Sequence, residues 1–179
     1  MDYIQIEVSE ELFNERNNNI SEITKNFMIN CLGLINEEDT KITSLDLCEN
    51  SINNSKIKKN LELNNIMKEE CKGISSKVIV EYAAICINLC TIPIHFAYKN
   101  IEVIQVGHGS DYICYGNSNN FIFESKGVNS KFNCPAQAKK GLDQIDKSFK
   151  IFKSKNIEFG IVGVSCFYEN KHYLIEKQN

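Results

Sequence analysis

The chain has 179 residues, 42% of them hydrophobic, and a formal net charge of −3, which suits a globular protein with a sizeable core. No membrane span is expected, because Glu81 and Asn88 interrupt the longest apolar run, and the acidic N-terminus lacks the basic and apolar regions of a signal peptide. We therefore expect a cytoplasmic protein with no membrane partner.

The N-terminal part of the chain is weakly patterned. Residues 2–8 alternate as a short strand does, and residues 9–35 favour a Ser-capped helix followed by an apolar run. Residues 36–75 are polar, rich in Asn, Glu and Lys, and weakly periodic, which predicts a helical or loop connection. We expect an N-terminal element of strand plus helices over residues 1–75, followed by the main domain over residues 76–179.

The second part has clearer boundaries. Ser75 or Ser76 caps a predicted helix over residues 77–90, and Pro135 opens a second helix that runs to about residue 154. Strands are predicted at about residues 93–98, 101–106, 111–115, 121–126, 159–168 and 173–177. The second helix lets the apolar strand that follows it run parallel to an earlier one. Three of the strands between the helices are expected to run antiparallel, and the order helix, three antiparallel strands, helix, strand predicts an α/β fold with a mixed β-sheet flanked by helices.

The cysteines give no framework for zinc or disulfides. There are eight of them, no Cys-x2-Cys pair occurs, and the chain is large enough to fold without covalent cross-links. We expect most of them to be small buried residues or free thiols in a reducing compartment.

One short motif stands out from its surroundings. An acid two residues before a lysine occurs four times, but only "ESK" at 124–126 closes an apolar strand. Side chains alternate along a strand, so Glu124 and Lys126 share a face. A hairpin through "GNSNN" brings Asp111 to the same level, and two neighbouring carboxylates repel each other unless a cation lies between them. Mg²⁺ is the natural cation for such a pair.

These residues resemble the PD-(D/E)XK nuclease superfamily, in which an Asp at a strand start is followed by a hairpin and (D/E)-x-K on the next strand. Here "GSD" precedes "FIFESKG", with Ser110 where the family often has Pro. The resemblance implies a restriction-endonuclease-like core in αβββαβ order over residues 76–179. It also implies an Mg²⁺- or Mn²⁺-dependent endonuclease-type phosphodiesterase, acting on DNA more than on RNA.

The resemblance assigns roles to several residues. Asp111, Glu124 and the Ser125 carbonyl would hold the metal, and Lys126 would place the attacking water. Family habit adds Glu81 as a further metal ligand and Gln144 as a catalytic residue, with Gln137 as its alternative. Each of these three side chains also fits an ordinary surface or hydrogen-bonded position.

A local excess of lysine follows the motif. Residues 127–155 hold seven lysines against Asp143 and Asp146, which favours contact with nucleic-acid phosphates or, alternatively, a solvated helix face. The lysines assigned to nucleic-acid binding are Lys131, Lys139, Lys140, Lys147 and Lys150. A homodimer or a partner protein is compatible with the pattern.

Two other interpretations remain open. The chain is either a catalytically silent nuclease-like module that binds nucleic acid or protein, or an unrelated α/β domain. In the second case "ESK" is an ordinary surface ion pair worth ~0–1 kcal/mol.

Overall fold

A computed structural model describes residues 4–9, 13, 17, 20–35, 40–42, 51–52, 55–60, 73–130, 133–169 and 171–179. The helices of these residues are α1 (Glu22–Ile35), α2 (Ser76–His95) and α3 (Cys134–Ile151). The strands are β1 (Ile4–Ser9), β2 (Thr40–Ile42), β3 (Ser51–Ile52), β4 (Ser55–Asn60), β5 (Asn100–Val103), β6 (Tyr112–Tyr115), β7 (Asn120–Val128), β8 (Ile157–Cys166) and β9 (Lys171–Gln178). The chain is an α/β protein.

The described strands form one mixed sheet in the order β1-β4-β2-β9-β8-β7-β6-β5, and β3 pairs with β9. β5, β6 and β7 run antiparallel in sequence, whereas β7 and β8 are parallel and joined through α3. The prediction of a mixed sheet with three antiparallel strands between two helices is confirmed.

The two faces of the sheet are covered by different helices. α2 packs with α1 over Phe121, Phe123 and Ile161. α3 packs over the opposite face, against Ile122 and Val162. Residues 121–123 therefore alternate between two apolar layers, as period-two strands covered on both sides do.

Helix α2 is longer than the sequence predicts. Ser75 caps it by accepting a hydrogen bond from the Val78 N–H, and it continues through Pro93 to His95, so the predicted strand over 93–98 is wrong. The apolar residues of 91–95 were ambiguous between strand and helix because a short apolar run has no distinctive period. By length and composition α2 could also cross a membrane, with a mean hydropathy of 1.3 over Ser76–Pro93, but 61% of that window is buried, as in a core helix.

Helix α3 confirms the second helix predicted from the sequence, and its apolar residues lie on one stripe. Ala138, Ile145 and Phe149 are buried on one side of it, and Pro135 lies in its first turn. Close packing requires glycine on both partners: a Cβ on Gly141 would lie 2.4 Å from Val162, and one on Gly160 would lie 2.3 Å from Ile145. This fit brings α3 directly onto β7 and β8.

The described strands of residues 1–75 extend the same sheet. β2 pairs with β9 in parallel, and β4 lies between β1 and β2. The expectation of a helical or loop connection over 36–75 is wrong for β2, β3 and β4. Their sequences are polar, so local propensity does not favour strands there. Pairing with β9 and with one another stabilises these segments as strands.

The cysteines differ in part from expectation. Cys134 at the start of α3 and Cys166 at the end of β8 form a disulfide, which corrects the prediction of free thiols at these two positions. Cys31, Cys86, Cys90 and Cys114 are buried and form no disulfide. Sequence spacing could not reveal the pair, because its members are 32 residues apart and meet only when α3 packs on the sheet.

Candidate functional site

Asp111 lies immediately before β6, beside the middle of β7. Tyr112 pairs with Phe123, and the Asp111 N–H donates a 3.2 Å hydrogen bond to the Phe123 carbonyl. The Asp111 Oδ2 accepts a 2.8 Å hydrogen bond from the Ser125 N–H. The hairpin therefore brings Asp111 to the level of residues 124–126, as the sequence predicts.

Glu124 and Lys126 point to the same face of β7 and form an ion pair. The Glu124 side chain is 3% exposed and that of Lys126 is 25% exposed, so the carboxylate is buried under the ammonium. One carboxylate oxygen, Glu124 Oε2, is buried without a hydrogen-bond partner. A buried acceptor of this kind is costly unless another group binds it.

Burial and like charge perturb both carboxyl groups. Burial, followed by the charge of Asp111, raises the pKa of Glu124 from an ordinary 4.5 to about 7, against the lowering effect of Lys126. Burial also raises the pKa of Asp111, with a smaller contribution from the charge of Glu81, although the Ser125 N–H and Lys126 act in the opposite direction. At both carboxyl groups burial therefore outweighs the neighbouring groups that favour the charged form.

A cavity of 440 Å³, which we call the groove, opens where α2 and α3 begin, beside the end of β7. It is lined by Lys77, Val80, Glu81, Ser125, Lys126, Gly127, Gln137 and Lys140. Helix α2 approaches β7 closely here, since a Cβ on Gly127 would lie 2.3 Å from the Val80 carbonyl oxygen. Glu81 and Lys126 thus both line the groove, whereas Asp111 and Glu124 are not among its lining residues.

The structure separates the two candidate glutamines. Gln137 lines the groove, one turn of α3 from Lys140. Gln144 lies two turns further along α3, where its backbone carbonyl would be 3.1 Å from a Cβ on Gly109. Gln137, the alternative in the sequence analysis, is therefore the glutamine beside Lys126.

The predicted nucleic-acid-binding lysines occupy different surroundings. Lys140 lines the groove, Lys139 is exposed next to it, and Lys131 lies outside the described residues. The Lys147 Nζ donates a 2.5 Å hydrogen bond to the Gly107 carbonyl. Lys150 borders another cavity, together with Asp146 and Lys153. Lys77 also lines the groove and was not predicted, because nothing in the sequence shows that α2 begins beside the end of β7.

Polar contacts below the surface hold the strands of the site. Asn88 on α2 donates a 2.7 Å hydrogen bond to the Ser125 Oγ, and a Cβ on Gly163 would lie 1.7 Å from the Asn88 Oδ1. Ser148 on α3 contacts Ser110, the residue before Asp111. Ser148 was not predicted from the sequence. The signal that could have indicated it is that it is a polar residue on the apolar stripe of α3.

The donors at this position fit a hard divalent cation. Asp111 and Glu124 offer carboxylate oxygens, and Glu124 Oε2 has no other partner. Within the described part of the chain, no group of three or more His, Cys, Asp and Glu side chains lies close enough to hold a metal ion. The two carboxylates would therefore need backbone oxygens, water or substrate to complete the shell.

A larger cavity of 500 Å³ lies at the β6–β7 turn, at the end of β7 away from Lys126. Phe96, Phe121 and Phe159 contribute to its lining together with Glu158 and Glu176. It contains none of the residues of the acid-x-Lys motif. Size alone therefore does not identify the functional site.

Comparison of the chain with known protein families, with curated proteins and with solved structures gives no match. The functional conclusion therefore depends on the residues and geometry described above.

Proposed function

We propose that this chain is a metal-dependent nuclease of the PD-(D/E)XK type that hydrolyses phosphodiester bonds, with DNA favoured over RNA as the substrate. The observation that carries the proposal is the contact between Asp111 and the "ESK" strand. The Asp111 Oδ2 accepts the Ser125 N–H at 2.8 Å while Glu124 and Lys126 form an ion pair on the adjoining face. The order of α2, β5, β6, β7, α3 and β8 supports a restriction-endonuclease-like core.

Asp111 and Glu124 would hold Mg²⁺ or Mn²⁺ in this enzyme. The bound ion supplies Lewis-acid stabilisation of the negative charge that develops on the phosphate. Glu124 must be ionised to bind a cation, and its pKa of about 7 means that the competent form accumulates as the pH rises through neutrality. Exposed Glu81, which lines the groove, is a candidate for an outer contact.

Lys126 has two tasks in the proposed mechanism. Its ammonium pairs with Glu124 in the described structure, and it borders the groove through which a substrate would approach. There it would donate a hydrogen bond to the attacking water and orient it. Positioning of this kind accounts for a large part of catalysis, because it removes the entropy cost of bringing the reactants together.

The groove supplies the cationic surface for the substrate. Lys77, Lys126 and Lys140 line it with Glu81 as the opposing charge. A contiguous cavity of 300 Å³ is bordered by Ser76 and Asn133, which lie at the beginnings of α2 and α3. The N-termini of helices carry partial positive charge and free N–H groups, so this end of the molecule suits phosphate.

One observation favours the catalytically silent module instead. The Lys126 ammonium already neutralises Glu124, so the chain could use the pair as a structural element without a divalent ion. Such a protein would still bind nucleic acid through the groove lysines. It would bind equally well in EDTA and would leave the substrate intact.

Cleavage assays distinguish the two functions. The purified protein is incubated with supercoiled plasmid, linear duplex, single-stranded DNA and RNA in Mg²⁺, in Mn²⁺ and in EDTA. We expect duplex DNA to be cut in either metal and not in EDTA. Binding without cleavage in all three conditions would support the silent module, and cleavage that persists in EDTA would contradict both.

A further inference from the structure

Asp111 is carried by a closed loop between β5 and β6. The Ile104 N–H donates a 2.8 Å hydrogen bond to the Asp111 carbonyl, and the His108 N–H donates a 3.1 Å hydrogen bond to the Gln105 carbonyl. Asp111 precedes β6, so it lies at the end of the strand ladder rather than within it. The direction of its carboxylate therefore depends on how the loop is anchored.

The anchor is Ser148 on α3, a residue with no exposed surface. The Ser148 Oγ accepts a 2.7 Å hydrogen bond from the Ser110 N–H. Ser148 also donates a 3.1 Å hydrogen bond to the Ser110 Oγ. Ser110 is 3% exposed, so water has little access to replace either contact.

The loop backbone lies directly on the helix at this point. Gly109 has φ +114°, and a Cβ there would lie 2.1 Å from the Ser148 Oγ. Only glycine combines that backbone conformation with so close an approach. The Lys147 side chain adds a further contact between the helix and the loop, because its Nζ donates a 2.5 Å hydrogen bond to the Gly107 carbonyl.

We propose that Ser148 is a positioning residue, which fixes Asp111 against the "ESK" strand by holding the backbone of Ser110. This inference rests on the proposed function, because it assigns Ser148 a part in catalysis. The side-chain hydrogen bonds of Ser148 go to Ser110, and Ser148 is not among the residues that line the groove. It acts through the residue that precedes Asp111.

The Ser148→Ala substitution removes the acceptor of the Ser110 N–H. A buried N–H without an acceptor is energetically costly, so we expect the loop to shift until this N–H finds another partner. The shift displaces Asp111, which is the next residue. Displacement of a catalytic group by about 1 Å costs on the order of 10²-fold in rate. We expect single-turnover cleavage to fall about 10- to 100-fold, with the dissociation constant for the DNA in EDTA changed by less than about twofold.

Ser110→Ala is the matched control. It keeps the backbone N–H and the 2.7 Å hydrogen bond to Ser148 and loses only the 3.1 Å contact between the hydroxyls. We expect its cleavage rate to stay within about threefold of the parent rate. If Ser148→Ala does not fold, Ser148→Cys is measured in its place, because sulfur conserves the volume but is a poor acceptor.

A second readout does not depend on activity. The Ser125 N–H, hydrogen-bonded to the Asp111 Oδ2, reports the position of the carboxylate through its chemical shift and hydrogen exchange. We expect Ser148→Ala to move this amide resonance upfield and to accelerate its exchange at least tenfold, while Ser110→Ala leaves both nearly unchanged.

The two proposals fail separately. An unchanged Ser125 amide and a parental cleavage rate in folded Ser148→Ala would overturn the positioning role. If the parent does not cleave in any metal, the nuclease proposal fails, and Ser148 has no catalytic role to support. The amide would then still show whether Ser148 holds Asp111.

Discussion

The Ser125 N–H donates a 2.8 Å hydrogen bond to Asp111 Oδ2, so the backbone of the acid-x-Lys strand holds a carboxylate that lies 14 residues earlier in the chain. On the same strand, Glu124 and Lys126 form an ion pair, and the Ser125 side chain accepts a hydrogen bond from Asn88. Charges from β7 and from the loop before β6 are thereby assembled around one short backbone segment. Several measurable consequences follow from how strongly these charges interact.

Asp111→Asn tests the interaction between the two carboxylates. The amide oxygen can still accept the Ser125 N–H, but the negative charge is lost. Because the charge of Asp111 is second only to burial in raising the Glu124 pKa, we expect that pKa to fall below about 7 in the variant. Carbon-detected NMR titration of the Glu124 carboxyl measures it. An unchanged pKa would mean that Asp111 does not act on Glu124 electrostatically.

Glu124→Gln should stabilise the fold in alkaline solution. Between pH 4.5 and about 7 the unfolded chain has released a proton that folded Glu124 retains, so the free energy of unfolding falls as the pH rises through this window. The rise from 4.5 to about 7 corresponds to at most about 4 kcal/mol, since one pKa unit is about 1.4 kcal/mol. We expect the variant to gain stability over the parent at pH 8 and to gain little at pH 4.5.

Urea denaturation at both pH values checks this prediction. The fully buried His172 acts in the opposite sense, because burial lowers its pKa from 6.5 to about 3, and stability is lost as the pH falls through that range. The variant and the parent share this contribution, so it cancels in their difference. A variant that is less stable than the parent at pH 8 would show that the ion pair with Lys126 outweighs the burial of Glu124.

Lys126→Met separates orientation of the water from binding of the metal. Methionine keeps the apolar part of the side chain and loses the ammonium, so the carboxylates remain available and the positive charge that repels a cation is removed. We expect Mn²⁺ binding, measured by calorimetry, to be retained or strengthened. Single-turnover cleavage should fall roughly 10²- to 10⁴-fold. Cleavage at the parental rate would exclude Lys126 from the mechanism.

Lys140→Ala, with Lys150→Ala as its matched control, tests whether the groove is the binding surface. Both lysines are exposed on α3, but only Lys140 lines the groove. If Lys140 contacts a phosphate, its removal should reduce the slope of log affinity against log salt by about one unit, and Lys150→Ala should leave the slope unchanged. Equal effects of the two substitutions would indicate a diffuse cationic surface.

The sequence predicted the parts of this structure that depend on local pattern. The hairpin of β6 and β7 follows from two apolar runs around "GNSNN", and the stripe of α3 follows from apolar residues at helical spacing. The same hairpin predicts that Asp111 lies beside residues 124–126. These features involve residues close together in the chain, for which period and turn chemistry are informative.

The remaining features depend on packing between distant segments. Strands β2, β3 and β4 take their order from pairing with β9 and with one another, and the disulfide joins α3 to β8. Gln137 rather than Gln144 lines the groove because α3 begins beside the end of β7, and only the docked helix reveals this. Period and propensity contain no information on such contacts.

The most direct test of the central claim is metal-dependent cleavage by the parent and Asp111→Asn under identical conditions. Both proteins, shown to be folded by circular dichroism, are incubated with duplex DNA over a titration of Mn²⁺ at pH 8, where Glu124 is mostly ionised. The account predicts that the parent cuts the DNA with saturable dependence on Mn²⁺ and that Asp111→Asn does not cut it at any concentration tested. Equal cleavage by the two proteins, or none by the parent, would contradict it.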